Sequence, residues 1–118
     1  MIKRILVVDD DQQICEGLRL NLSDLGYEVH TANDWYMAGK LSRLNEYDLV
    51  ISDNILDEEY NHRGIFVIPR IVADQERKGN QTKSILMSQE CVKEHPADMF
   101  LQKPFSMEAL SEAVASLS

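Results

Sequence analysis

The sequence predicts an α/β fold in which a parallel sheet is covered by helices on both faces. Three observations carry this expectation. Short apolar runs alternate with helix-length segments along the 118 residues. Two of the runs, Ile5-Leu6-Val7-Val8 and Leu49-Val50-Ile51, are apolar at consecutive positions, as strands buried on both faces must be. Most runs are followed by a stretch of helical character, the pattern of right-handed crossovers in one sheet.

Taken in order, Ile5 to Val8 forms the first strand. Asp11 to Leu25 then carries Ile14, Leu18, Leu22 and Leu25 at helical spacing, and Gly26 stands where a helix-terminating glycine belongs. Tyr27 to Ala32 alternates in polarity and suits a half-exposed edge strand. Asp34 to Asn45 reads as a second helix with Ala38 and Leu41 inward, and Asp48 to Ser52 as the third strand. Ile65, Ile68 and Val72 mark a third helix ending near Gly79-Asn80. Pro69 lies inside it, lacks a backbone donor, and is expected to kink or delay it. Ser84 to Met87 and Met99 to Leu101 are the fourth and fifth strands. Ser106 can cap a last helix with Met107, Leu110, Val114 and Leu117 on one face. Between Ser88 and Met99 only Gln89 to Asp98 remain, and Pro96 stops any helix before it. A parallel crossover takes about ten to twelve residues including its helix. The fourth helix is therefore expected to be shortened or absent.

Composition supports one domain over residues 1–118: 44% hydrophobic and 27% charged residues suit a packed core and exclude a disordered chain. Twelve Lys and Arg against 20 Asp and Glu give a net charge of −8, which repels phosphate backbones and anionic lipid. Neither direct nucleic-acid binding nor membrane association is expected. Cys15 and Cys91 are far apart, with no Cys or His partner at metal-ligand spacing, and read as reduced thiols of a cytoplasmic protein. The first apolar run meets Asp9-Asp10-Asp11 too early for a signal peptide, and no other stretch approaches a membrane span. His30, His62 and His95 read as solvated, Cys15, Met99 and Met107 as packing residues, and Trp35 as a partly buried anchor.

The informative polar residues share a location. Asp9 and Asp10 follow the first strand, Asp53 the third, Ser88 the fourth and Lys103 the fifth. Ligands of open parallel sheets bind at the carboxyl ends of strands, where the strand order reverses. In the flavodoxin-like order 2-1-3-4-5, a three-layer (βα)5 sandwich, these residues converge. Carboxylates about 4 Å apart repel by roughly 4 kcal/mol at an effective dielectric near 20, so either one is protonated or a cation lies between them. Oxygen ligands with open positions favour Mg²⁺, which bridges readily to phosphate. A carboxylate beside such a metal can attack phosphorus, with an ammonium and a hydroxyl binding the phosphoryl oxygens.

Val7-Val8-Asp9-Asp10, Ile51-Ser52-Asp53, Leu86-Met87-Ser88 and Lys103-Pro104-Phe105, in this order and each at a strand end, resemble the bacterial response-regulator receiver domain over nearly the whole chain. The resemblance implies a two-component phosphorelay module, not a conventional enzyme, that assists its own phosphorylation and dephosphorylation. Asp53 would accept phosphate from a sensor histidine kinase or a histidine phosphotransfer protein. Asp10, Asp53 and the backbone carbonyl of Ile55 would hold Mg²⁺ or Mn²⁺, with Asp9 acting through water. Ser88 would be the switch hydroxyl, Lys103 the phosphate partner and Phe100 the rotating aromatic. The peptide before Pro104 would be cis, an isomer that proline makes accessible. An effector domain or target protein would receive the signal.

Departures from the family pattern are equally legible. The stretch Asn54 to Gly64 is longer than usual, lacks the usual proline and carries Asp57, Glu58 and Glu59; it reads as a solvated loop. Gln89 replaces a small residue beside the switch serine. A missing fourth helix places output through the usual face in doubt and points to another surface, or to one remodelled with Cys91 and Val92. These departures leave a phosphorylation-independent pseudo-receiver, acting as a protein-binding module, as the alternative. An aspartate-dependent phosphatase would need a small-residue turn where Gln12-Gln13 stand. A flavin module would need a phosphate cradle where three aspartates would repel the ligand.

Overall fold

The computed structural model describes the backbone of residues 1–57 and 62–118 and the side chains of residues 1–54 and 67–118. Its elements are β1 (Arg4–Val8), α1 (Gln12–Asp24), β2 (Glu28–Ala32), α2 (Trp35–Leu44), β3 (Leu49–Asp53), β4 (Ile55–Asp57), β5 (His62–Arg63), α3 (Gly64–Arg77), β6 (Lys83–Ser88), β7 (Met99–Gln102) and α4 (Met107–Leu117). The main sheet has five parallel strands in the order β2-β1-β3-β6-β7. Counted along that sheet, this is the order 2-1-3-4-5.

Alternation along the strands sends side chains to two separate cores. Ile5, Val7, Leu49, Ile51, Ile85 and Met87 pack with Cys15, Leu18 and Leu22 of α1 and Leu110, Ala113 and Val114 of α4. Leu6, Val8, Val50 and Leu86 face the other way, onto Ala38 of α2 and Ile68 and Ile71 of α3. Burying one such side chain contributes about 1.5–3 kcal/mol. Consecutive apolar residues in β1 and β3 therefore stabilise both layers at once.

Local chemistry sets the helix ends. Asp11 caps α1, its Oδ1 accepting from the amides of Gln13 and Ile14 at 2.9 and 3.3 Å. Asp34 caps α2 through the Met37 amide, and Ser106 caps α4 through that of Ala109. Gly26 follows α1 with φ of +99°, where a β-carbon would be strained. The expected delay at Pro69 does not occur. The third helix starts at Gly64, and Ile68 and Ile71, each 1% exposed, anchor it on both sides of the proline.

Some side-chain expectations need correction. His30 is half-buried, with Nδ1 2.8 Å from the hydroxyl of the fully buried Tyr47. His95 is also half-buried, its ring 5.8 Å from that of Phe100. Met107 is 41% exposed, because it opens α4 beyond the edge of the core. Part of the expected loop after Asp53 is a two-stranded antiparallel sheet, with Ile55 opposite Arg63 and Asp57 opposite His62. Glu58, Glu59 and the side chains of Asp57 and His62 lie outside the described residues.

No helix forms between β6 and β7. The crossover is tied to the sheet by a reciprocal pair instead. Asp98 Oδ2 accepts from the Ser84 amide at 2.8 Å and from its hydroxyl at 3.3 Å, while Ser84 Oγ accepts from the Asp98 amide at 3.1 Å. Val92 and Ala97 lie against the second core in place of a helix. Asp98→Ala is expected to cost about 2 kcal/mol, the range for hydrogen bonds to a charged group. A urea midpoint equal to wild type would show that the pair does not hold the crossover.

Cys15 is buried, and burial together with the Asp9 charge pushes its thiol up to about 11; Cys91 is exposed. Iodoacetamide at mildly alkaline pH should therefore alkylate Cys91 in the folded protein and reach Cys15 only after unfolding. Peptide mapping checks this, and labelling of both at equal rates would contradict the burial.

Candidate functional site

Strand register brings the polar residues to one level. Val8 pairs with Ser52, Asp53 with Met87, and Ser88 with Gln102. Asp9 and Asp10 therefore emerge from β1 beside the end of β3, and Ser88 and the start of the segment after β7 lie next to them. Together Asp9, Asp10, Asp11, Asp53, Ser88, Gln89, Glu90 and Lys103 line an open cleft of about 270 Å³ at the carboxyl edge of the sheet.

Lys103 is the link across this cleft. Its Nζ lies 2.8 Å from Asp9 Oδ2 and 3.0 Å from Asp53 Oδ1. The side chain of Asp9 is 1% exposed, so its charge is nearly dry and is stabilised by this contact and by the Asp11 amide, which donates to Oδ1 at 2.9 Å. The Lys103-Pro104 peptide is cis. Further bonds fix the Asp9 backbone: its carbonyl accepts from Asn33 Nδ2 at 3.2 Å and from the Cys15 thiol at 3.3 Å.

Carboxylates outnumber the ammonium. Ligand oxygens of Asp9, Asp10 and Asp53 all lie within 4.8 Å of one another. Burial raises the Asp53 pKa above its ordinary value; the Lys103 hydrogen bond opposes this and the Asp9 charge adds to it. Asp10 is raised as well, by burial first and then by the Asp9 charge. Burial works against the Lys103 charge, yet its hydrogen bonds to Asp9 and Asp53 outweigh that and raise its pKa. Three hard oxygen donors in mutual repulsion, with open space before them, match a small divalent cation that keeps part of its water shell.

Ser88 is 3% exposed, and its Oγ accepts from the Glu90 amide at 3.1 Å. That leaves its proton free to donate into the cleft. Phe100 lies opposite Leu86, half-buried against the second core, and is not among the residues lining the cleft. Ile55 belongs to β4, where it pairs with Arg63 of β5.

Asn33, Asn54, Glu90 and Gln102 escaped the sequence reading. Asn33 holds Asp9 from the end of β2. Asn54 donates its amide to the Met87 carbonyl at 2.8 Å, and its buried Oδ1 has no partner among the described residues. Gln102 Nε2 donates to the Gln89 carbonyl at 3.2 Å. They act at or just beyond strand ends through hydrogen bonds, Asn33 reaching both the Asp9 carbonyl and the Cys15 sulfur, and polarity near a strand end was the only sequence signal available.

Comparison with known proteins agrees with this geometry. The family model described as response regulator receiver domain matches residues 5–115. The regulatory protein VanRB of Enterococcus faecalis is 31% identical over 121 residues, covering 97% of this chain and 51% of VanRB. Response regulator MprA of Mycobacterium sp. strain KMS is 33% identical over 126 residues, covering 97% of this chain and 50% of MprA. The chain thus spans about half the length of these curated relatives. Among solved structures, the chemotaxis protein CheY4 of Vibrio cholerae superposes with a TM-score of 0.86 at 25% identity over all of both chains. The signal receiver domain of an HD domain-containing protein from Pseudomonas fluorescens Pf-5 gives 0.83 at 28% identity, covering 99% of this chain and 94% of that one. With its sheet order, its strand-end carboxylates and a family match across nearly all its length, the chain belongs to the response-regulator receiver domains of two-component signalling.

Proposed function

We propose that this receiver domain is a phosphoacceptor whose reactive group is Asp53. The observation that carries the reading is the Lys103 ammonium seated between Asp9 and Asp53, at 2.8 and 3.0 Å, with Asp10 completing a three-carboxylate cluster. Asp10 and Asp53, with the Ile55 carbonyl and with Asp9 through water, would hold Mg²⁺ or Mn²⁺. When bound, such a cation neutralises phosphoryl charge and orients the group for in-line transfer.

The donor is a phosphohistidine on a sensor histidine kinase or a histidine phosphotransfer protein. An Asp53 carboxylate oxygen attacks phosphorus, the nitrogen–phosphorus bond breaks, and the imidazole leaves with the bonding pair and takes up a proton. Lys103 is placed to pair with the transferred phosphoryl oxygens, and the Ser88 hydroxyl to donate to one of them. Slow attack of water later releases inorganic phosphate and restores Asp53. An apolar hollow of about 500 Å³ adjoins the cleft and shares Gln89 and Lys103 with it, which suits a protein donor better than a small one. Switching requires two conformations that phosphate contacts differently, with Ser88 and Phe100 as the coupling residues. Because no helix follows β6, output passes through a surface other than the usual fourth-helix face, to an effector domain or target protein.

Incubation with acetyl phosphate and Mg²⁺ is expected to add one phosphoryl group, read by intact-protein mass spectrometry. Asp53→Asn should abolish the adduct, as should a chelator. An unmodified wild-type protein would favour the phosphorylation-independent binding module.

Substitutions at the two flanking charges should shift stability in opposite directions without metal. Lys103→Met leaves Asp9 charged and buried with no cation, and is expected to cost about 3 kcal/mol. Asp10→Asn removes a charge that the folded state disfavours. The folded pKa is raised, so above it the ionised form weakens the fold; at neutral pH the amide should raise the melting temperature. Added Mg²⁺ should stabilise wild type and have little effect on Asp10→Asn. Matching thermal shifts in both proteins would exclude Asp10 as a ligand.

A further inference from the structure

The outer face of α2 is unlike the rest of the surface. Tyr36, Met37, Lys40, Arg43 and Leu44 are exposed and fall at helical spacing within one stripe. Tyr36 is 63% and Leu44 70% exposed. The chain carries a net charge of −8, yet α2 holds two cations and no acid, while each of the other helices holds two acids. Neither Lys40 nor Arg43 has an ion-pair partner among the described residues. Tyr, Met and Arg are also residue types enriched at protein interfaces.

A surface of opposite character lies on the same chain. A groove of about 390 Å³ between α1 and α4 is lined by the acids Asp24, Glu108 and Glu112 and by no cation. Leu25 and Met107 line it too, 56% and 41% exposed. None of the three acids is ion-paired among the described residues. Glu108 and Glu112 are about one turn apart on α4, as Lys40 and Arg43 are on α2, so two charge pairs can form in one contact. That contact would cover five of the seven large apolar side chains that stand exposed among the described residues. We infer that the α2 stripe of one copy docks in the α1–α4 groove of a second copy of this chain. α2 covers one face of the sheet, and α1 and α4 cover the other. The contact is therefore head-to-tail: each docked pair leaves a free stripe and a free groove, and further copies add in line or close a ring. The ten residues of α2 span about 15 Å, so the interface is small, below about 1,200 Å² in total, and the contact weak and concentration-dependent. Neither surface shares a residue with the carboxylate cleft, so the inference does not rest on phosphoryl transfer to Asp53.

Sedimentation velocity of the full chain, from micromolar to millimolar concentration and without a phosphodonor, tests this. The weight-average mass of wild type is expected to rise past that of a dimer. Leu44→Asp on the stripe and Leu25→Asp on the groove should each remain monomeric. Both positions are exposed, and circular dichroism checks that the variants fold. An equimolar mixture of the two retains one intact stripe and one intact groove, and should stop at a dimer. Glu108→Lys with Glu112→Lys halves the net negative charge of −8, yet should abolish association. Adding Lys40→Glu and Arg43→Glu to that chain restores both the net charge and the pairing, and should restore assembly. A wild type that is monomeric throughout would overturn the inference. So would association lost in only one of the two leucine variants, which marks a contact between like faces. Stronger association on Glu108→Lys with Glu112→Lys would overturn it as well, by showing that overall charge and not pairing governs assembly.

Discussion

A buried aspartate and a half-buried one share a single ammonium, and the carboxyl edge of the sheet is organised around that contact. Asp9 is nearly dry, and an ionised carboxylate there needs a cation and hydrogen bonds. Lys103 supplies the cation from the far end of the chain, 94 residues away. The same ammonium reaches Asp53, so the ends of β1, β3 and the segment after β7 are held together by one charge. Two further carboxylates, those of Asp10 and Asp11, flank it, and Asp11 is committed to its helix. Burial first, and the charge left over with it, keeps Asp10 and Asp53 above their ordinary pKa, and that charge makes the cleft receptive to a divalent ion.

The two faces of the sheet are unequally covered. α1 and α4 lie on one core. α2 and α3 lie on the other, and over β6 and β7 that second core is completed by the crossover with Val92 and Ala97. Such a segment contributes few apolar contacts, so polar bonds take over its positioning. Ser84 and Asp98 anchor one end, and Ser88, Glu90 and Gln102 anchor the other. In this region a short tied turn stands between β6 and β7 in place of a helix.

Much of the fold was legible because burial on two faces leaves a plain trace. Ile5 to Val8 can be nothing but apolar if both core layers are to be filled, and the helix caps Asp11, Asp34 and Ser106 precede their apolar stripes. The absent fourth helix was legible too, from the distance between Ser88 and Met99 and from Pro96. Pro69 misled, because a local rule about a missing donor was outweighed by the packing of Ile68 and Ile71. Met107 misled in the same way: helical spacing identifies a face but not where along it the core ends. His30 and His95 looked solvated because nothing near them in sequence reveals Tyr47 or Phe100 as a neighbour.

By itself the sequence determined the strands of the main sheet and the helices, the acidic balance and which polar residues end strands, since these depend on residue type and local period. Only the tertiary structure decided that Lys103 bridges Asp9 and Asp53, that Asn33 steadies Asp9, and that Glu90 lines the cleft. Those contacts join segments separated by tens of residues, and their distances are set by strand register and by packing on both faces of the sheet. No local propensity encodes either.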